Sequence, residues 1–121
     1  MSGEGRTNFL RALLAAYLLG LVMVVWTPVS EESGALLGLF LIEGNLERFL
    51  NILLLSPLPV LLKLSFIRTP SSLLLLAGPL LSMTIEVVQI FVPGRFFDLI
   101  DVALNSLGFL VVAFFVVRWL R

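Results

Sequence analysis

Apolar residues run almost unbroken through four stretches of this chain, roughly 9–29, 49–67, 71–91 and 99–120. Each is close to the ~20 residues that a helix needs to cross the hydrocarbon core of a bilayer, so the pattern predicts four transmembrane helices. Thr69-Pro70-Ser71-Ser72 reads as a helix stop followed by serine caps, which makes the link between the second and third helices tight. Pro93-Gly94 breaks the chain between the third and fourth. The second stretch is the least regular, being interrupted by Asn51, Ser56, Pro57, Pro59 and Lys63. Pro57 and Pro59 each lack a backbone donor and should kink it. In a membrane such a kink survives only where neighbours satisfy the freed carbonyls, so it should be buried in the bundle.

Composition agrees with the pattern. Of 121 residues, 60% are hydrophobic and only 13% charged, against roughly a quarter charged in soluble domains. Four crossings leave no room for a separate soluble domain, so residues 1–121 read as one all-α unit, a small polytopic membrane bundle. The absence of cysteine excludes disulfides and thiolate metal sites. The absence of histidine removes the usual general base, the usual pH switch and the commonest metal ligand. Net charge is zero and the basic residues are scattered, so the expected partner is the lipid bilayer and not nucleic acid. No cofactor is expected, and the oligomeric state stays open.

Charge also predicts the direction of insertion. Arg6, Arg11, Lys63, Arg68, Arg118 and Arg121 fall on one side of the four crossings, and Arg48 and Arg95 on the other. Six basic residues against two put both termini in the cytoplasm by the positive-inside rule. Trp26 and Trp119 then mark opposite interfaces, as aromatic belts do. The loop 30–47 carries Glu31, Glu32, Glu43 and Glu47 and is expected outside, with its short apolar middle, 35–42, dipping into the interface. The first helix has the basic flank of a signal peptide, but its apolar core is long and Pro28-Val29-Ser30 is a poor cleavage site, so it should be retained. Ala12, Ala16 and Gly20 recur every fourth residue on it, a small-residue groove suited to close packing against another helix.

The candidate chemistry gathers at the outer side. Glu86 lies well inside the third apolar stretch, about 10 Å below the helix end at 1.5 Å per residue. A carboxylate at that depth is costly and points to a function or a specific partner. Gly78, Ser82, Glu86 and Gln89 recur at spacings of three or four, hence on one face, and Asp98, Asp101, Asn105 and Gly108 make a second stripe on the fourth helix. Two polar stripes joined by a hairpin must face each other, because turning either to lipid is prohibitive. With Asn51 opening the second helix, the pattern predicts an outward-facing polar pocket between helices two, three and four.

Each member also has a purely structural role open to it. Asp98 can cap the fourth helix, with Asp101 favoured by the macrodipole at its third position. Asn105 can hydrogen-bond a neighbouring helix. Arg95 can pair with Glu86 or Asp98 and staple the hairpin. Arg48 can be part of an ordinary helix entrance. Glu86 resists such a reading best, since no cap explains it: either it is neutral, or a cation such as Arg95 or Arg48 is close by.

Asn51-Ile-Leu-Leu-Leu-Ser-Pro-Leu, then Glu86-x-x-Gln89, then Gly94-Arg95-x-Phe97-Asp98-x-x-Asp101-x-x-Leu104-Asn105-Ser106-x-Gly108 resembles the VanZ-like family of bacterial membrane proteins. The likeness covers roughly Asn45 to the C-terminus, and its motif positions fall on Asn51, Pro57, Glu86, Gln89, Arg95, Asp98, Asp101, Asn105 and Gly108. The resemblance implies a small helical cell-envelope protein of the bacterial cytoplasmic membrane, of a type whose founding member is linked to glycopeptide (teicoplanin) antibiotic resistance. It implies no catalytic residue. The chain departs from the pattern in three places: Pro59 stands where a glycine is usual, Ile100 where an acidic residue is frequent, and loop 30–47 lacks the charged, histidine-containing stretch of many members.

Three classes of function follow. In the first, the pocket of Asn51, Glu86, Gln89, Arg95, Asp98, Asp101 and Asn105 binds a lipid headgroup or peptidoglycan precursor, with Arg48 and Arg95 meeting phosphate or carboxylate. In the second, Glu86, Asp98 and Asp101 act on a lipid-linked envelope substrate as an intramembrane enzyme, through acid–base chemistry or a divalent cation. In the third, the polar cluster only holds the bundle of a structural or accessory subunit together. Three carboxylates close together would suit magnesium, but Asp-x-x-Asp is a frequent pattern, so binding is favoured over catalysis and no metal ligand is assigned.

Overall fold

The computed structural model describes residues 2–27 and 45–120, with the backbone alone for 45–47. Among the described residues five helices follow in order: α1 (Gly3–Trp26), α2 (Asn45–Leu54), α3 (Leu58–Ser65), α4 (Ser71–Gln89) and α5 (Leu99–Trp119). Four of the apolar stretches are long enough to cross a membrane: Gly3–Trp26, Arg48–Ser65, Ser71–Gln89 and Leu99–Trp119. The all-α, four-span architecture predicted from hydropathy is the one observed. Residues 30–44 of the expected acidic loop, with the dipping segment 35–42, lie outside the described residues, and 45–47 belong to α2 instead of the loop.

Local chemistry sets the helix ends. α1 starts earlier than hydropathy suggests because the Ser2 hydroxyl accepts from the Gly5 N–H (3.2 Å), capping a polar first turn. The serine caps expected for the third span do not form. Pro70 occupies the cap position in extended conformation, and Ser71 and Ser72 lie inside α4. Proline has the φ that precedes a helix and its carbonyl accepts from the Leu74 N–H, so no side-chain cap is needed there. Gly94 turns the chain between α4 and α5 with a φ of 78°, a region in which a Cβ is strained.

The second span is broken, as its prolines require. α2 ends at Leu54 and α3 begins at Leu58, with Leu55 and Pro59 fully buried in the bundle. The Leu58 N–H turns to the Leu55 carbonyl instead of continuing the helical ladder to Leu54. The Tyr17 hydroxyl donates to the Leu54 carbonyl thus left over. A neighbouring helix therefore satisfies the acceptor that the proline break frees.

The core sits where α1, the α2–α3 break, α4 and α5 converge, and includes Leu14, Leu21, Leu55, Leu58, Ile85, Phe109 and Ala113. α5 is its centre, lying along both α4 and α2, while α1 packs chiefly on α3. Gly108 lets α2 come close: a Cβ there would stand 1.7 Å from the Ile52 carbonyl oxygen. The groove expected of Ala12, Ala16 and Gly20 is not used within the chain. Ala12 and Ala16 are exposed, and a Cβ on Gly20 would meet nothing within 4 Å. α1 turns Leu14, Leu21 and Val25 inward instead, because bulky apolar side chains fill the space beside α3 that small ones would leave empty.

Candidate functional site at the α4–α5 turn

The two polar stripes do meet. Gly78, Ser82, Glu86 and Gln89 are all buried, and they face α5. Along the antiparallel α4–α5 pair, Phe109 packs over Gly78, and the Ser82 hydroxyl donates to the Val102 carbonyl (3.0 Å). One turn further out, Glu86 Oε2 accepts the backbone N–H of Asp98 (3.1 Å). Glu86 is 2% exposed and so fully withdrawn from solvent and lipid. That bond anchors the start of α5 to α4 through one of the N–H groups a helix entrance leaves without an intrahelical partner.

Asp98 caps α5 with its side chain, Oδ1 accepting from the Ile100 N–H at 2.8 Å. Asp101 stands in the first turn, where a negative charge suits the positive end of the macrodipole. It also accepts from Asn51 Nδ2 at 2.7 Å, which ties α2 to α5. Asn105, one turn deeper, is 1% exposed, and its Oδ1 has no hydrogen-bond partner among the described residues. Among the described residues no hydrogen bond between the Asn105 side chain and a neighbouring helix is found at this oxygen.

Arg95 departs from expectation. Among the described residues no ion pair joins it to Glu86 or Asp98. Its Nε donates to the Thr27 carbonyl (3.1 Å) and one terminal nitrogen to the Val24 carbonyl (3.2 Å), both at the end of α1. The last carbonyls of a helix lack intrahelical donors and sit at the negative end of its dipole, so they compete well for a guanidinium. With the Gln89 amide turned to satisfy its neighbours, its nitrogen donates to Glu86 Oε1 and its oxygen accepts from the other Arg95 nitrogen, each at 3.1 Å. Arg95 thus reaches Glu86 through Gln89, and in doing so fastens α1 to the hairpin.

Above this network lies a half-open cavity of about 390 Å³, lined by Gln89, Gly94, Arg95, Phe96, Phe97, Asp98 and Asp101. Its walls come from the α4–α5 hairpin. Glu86 lies beneath it, bonded to two of its lining residues, and Asn51 touches it only through Asp101. Arg48 is exposed on α2 and does not line it. Phe96 and Phe97 were not among the pocket residues expected from the sequence, although Phe97 stands in the motif and both lie between Arg95 and Asp98 on the same turn. Among the described residues no three acidic side chains gather closely enough to hold a metal ion, so Glu86, Asp98 and Asp101 do not form the cluster a divalent cation would need.

Comparison with known proteins agrees with the motif. No curated protein and no solved structure matches the chain. The family model of VanZ/LLP1 matches residues 14–121, which extends the likeness across the second half of α1 as well as the motif-bearing part of the chain. This multi-span helical protein belongs to the VanZ/LLP1 family.

Proposed function

We propose that the protein is a binding component of the bacterial cell envelope, and that the cavity over the α4–α5 hairpin takes the polar group of a lipid headgroup or peptidoglycan precursor. The observation that carries this reading is the make-up of the cavity. It sets an exposed carboxylate, Asp98, and a guanidinium, Arg95, beside two aromatic rings, at the end of a membrane helix pair. Asp98 commits Oδ1 to its own helix, which leaves Oδ2 for a hydroxyl, amine or amide donor. Arg95 has five N–H groups and directs three of them at carbonyl oxygens, so two remain for phosphate or carboxylate. Phe96, 85% exposed, offers a ring to a sugar face or an acyl chain. Both termini lie in the cytoplasm in this reading, the cavity opens outward, and a part in glycopeptide resistance belongs to the same proposal.

A scaffold role for the deeper residues is favoured by a separate observation. Glu86, Gln89, Asn51 and Ser82 all direct their polar atoms at other parts of the chain. The site then divides into a bonded floor and an open rim. Catalysis has no comparable support, since the carboxylate best suited to acid–base work is shut beneath the cavity.

A photoreactive phenylalanine analogue at position 96, and another at the equally exposed but distant-facing Phe91, tests the binding reading in living cells. The probe at 96 should capture an envelope precursor or a specific headgroup that the probe at 91 does not. The same bulk phospholipids from both positions would overturn the reading.

A further inference from the structure

At the other end of the bundle, Thr7 and Arg11 of α1 face Ser65, Phe66, Ile67 and Arg68, and together they line a cavity of about 310 Å³. Two guanidinium groups border it and no carboxylate does. The Arg11 guanidinium lies over the Phe66 ring, 5.3 Å from its centroid, which fixes one cation at the cavity wall. Ser65 is 2% exposed, and its hydroxyl has no hydrogen-bond partner among the described residues. A buried hydroxyl without a partner is rare, because its desolvation is uncompensated. Lys63, the other cation nearby, is turned to the Thr69 carbonyl. A second cavity, of about 560 Å³, shares Phe66 and Arg68 with the first and continues between α3 and α4 along Leu62, Leu73, Leu74 and Ala77. A cationic seat with a spare hydroxyl therefore opens into an apolar groove, at the level where the second membrane span ends and the third begins.

We propose that this end of the bundle holds an anionic phospholipid, its phosphate between Arg11 and Arg68 with the Ser65 hydroxyl donating to it, and one acyl chain along the α3–α4 groove. Paired guanidinium groups match a phosphate through charge-assisted hydrogen bonds. The groove distinguishes a lipid from a free anion. Because the cavity lies at the far end from Glu86, this proposal stands or falls independently of the one above.

Native mass spectrometry of the purified full-length protein in detergent, titrated with phosphatidylglycerol or with phosphatidylcholine of the same acyl chains, tests it. Phosphatidylglycerol should be retained preferentially. Each basic residue near an anionic lipid surface is worth enough that losing two should weaken retention by about 30-fold in the Arg11→Gln/Arg68→Gln protein. Ser65→Ala should weaken it as well, while Arg118→Gln, which removes an exposed charge outside this cavity, should not. Equal retention of the two lipids by the wild type overturns the proposal without recourse to any variant. So does an equal loss in Arg118→Gln, or unchanged retention in Ser65→Ala. Displacement of the lipid by millimolar inorganic phosphate would show a free-anion site instead.

Discussion

Asn51 and Asp101 stand 50 positions apart in the chain, and the Asn51 side-chain amide donates to an Asp101 carboxylate oxygen at 2.7 Å. This bond joins the second span to the first turn of the fourth, at the level where Glu86 takes the Asp98 N–H from the third. Three spans are thereby tied at one end by two side chains, both acting on residues 98–101. A double-mutant cycle with Asn51→Ala and Asp101→Ala should give a coupling of about 1 kcal/mol, within the range of interhelical hydrogen bonds in membranes. Additive losses would mean that the pair contributes nothing beyond its separate members.

Gly108 and Gly20 provide a matched comparison. A Cβ on Gly108 would collide with the α2 backbone at Ile52, whereas one on Gly20 meets nothing within 4 Å. Gly108→Ala should cost about 1–3 kcal/mol or more, because backbone cannot move aside as a side chain can. Gly20→Ala should be neutral or slightly stabilising, alanine being the better helix former. Thermal unfolding in detergent reads both, and equal shifts would contradict the close α2–α5 approach.

Tyr17→Phe removes the donor to the carbonyl left over at the proline break and changes little else in shape. A stranded buried acceptor costs roughly 1–3 kcal/mol, so the melting temperature should fall although hydrophobicity rises. A rise instead would show that the Leu54 carbonyl finds another donor.

Arg95→Ala should loosen α1 from the hairpin by removing the donor to the Thr27 carbonyl and the Gln89 oxygen, and one of the two donors at the Val24 carbonyl, which keeps the Thr27 N–H. It should lower stability clearly more than Arg118→Ala, which removes an exposed charge from the last turn of α5. Spin labels on α1 and on the 94–97 turn should also report a wider distance distribution in Arg95→Ala. An unchanged distribution would separate Arg95 from α1.

Orientation follows from charge and can be read on a chain that has no cysteine of its own. A single cysteine at Phe96 should react with an impermeant thiol reagent added to intact cells, and one at Thr69 should not. Labelling at Thr69 alone would invert the topology and turn the polar cavity inward.

The stripe of Gly78, Ser82, Glu86 and Gln89 was legible because helical spacing and the cost of polar groups in lipid leave one arrangement for it. The break at Pro57 was legible for a related reason: a missing N–H cannot be hidden. Contacts to backbone carbonyls were not legible. Every residue carries a carbonyl, so neither the grip of Arg95 on Val24 and Thr27 nor that of Tyr17 on Leu54 leaves a mark beyond the donor itself. Tyr17 did carry a hint, as the single tyrosine of the chain set deep in an apolar helix. The small residues of α1 did not identify a neighbour within the chain, because alanine and glycine suit a lipid-facing surface as well as a tight interface.

On the proposed reading, the floor of the α4–α5 site is scaffold and its rim binds an envelope molecule. Native mass spectrometry of protein taken directly from its membrane, comparing wild type with Asp98→Asn, tests this most directly. Asparagine caps a helix as well as aspartate does, so Asp98→Asn keeps the start of α5 while removing the rim charge. The wild type should carry a lipid headgroup or precursor, and Asp98→Asn should lose it at an unchanged melting temperature. Full retention of that molecule by Asp98→Asn, or a wild type that carries nothing beyond bulk lipid, would contradict the claim.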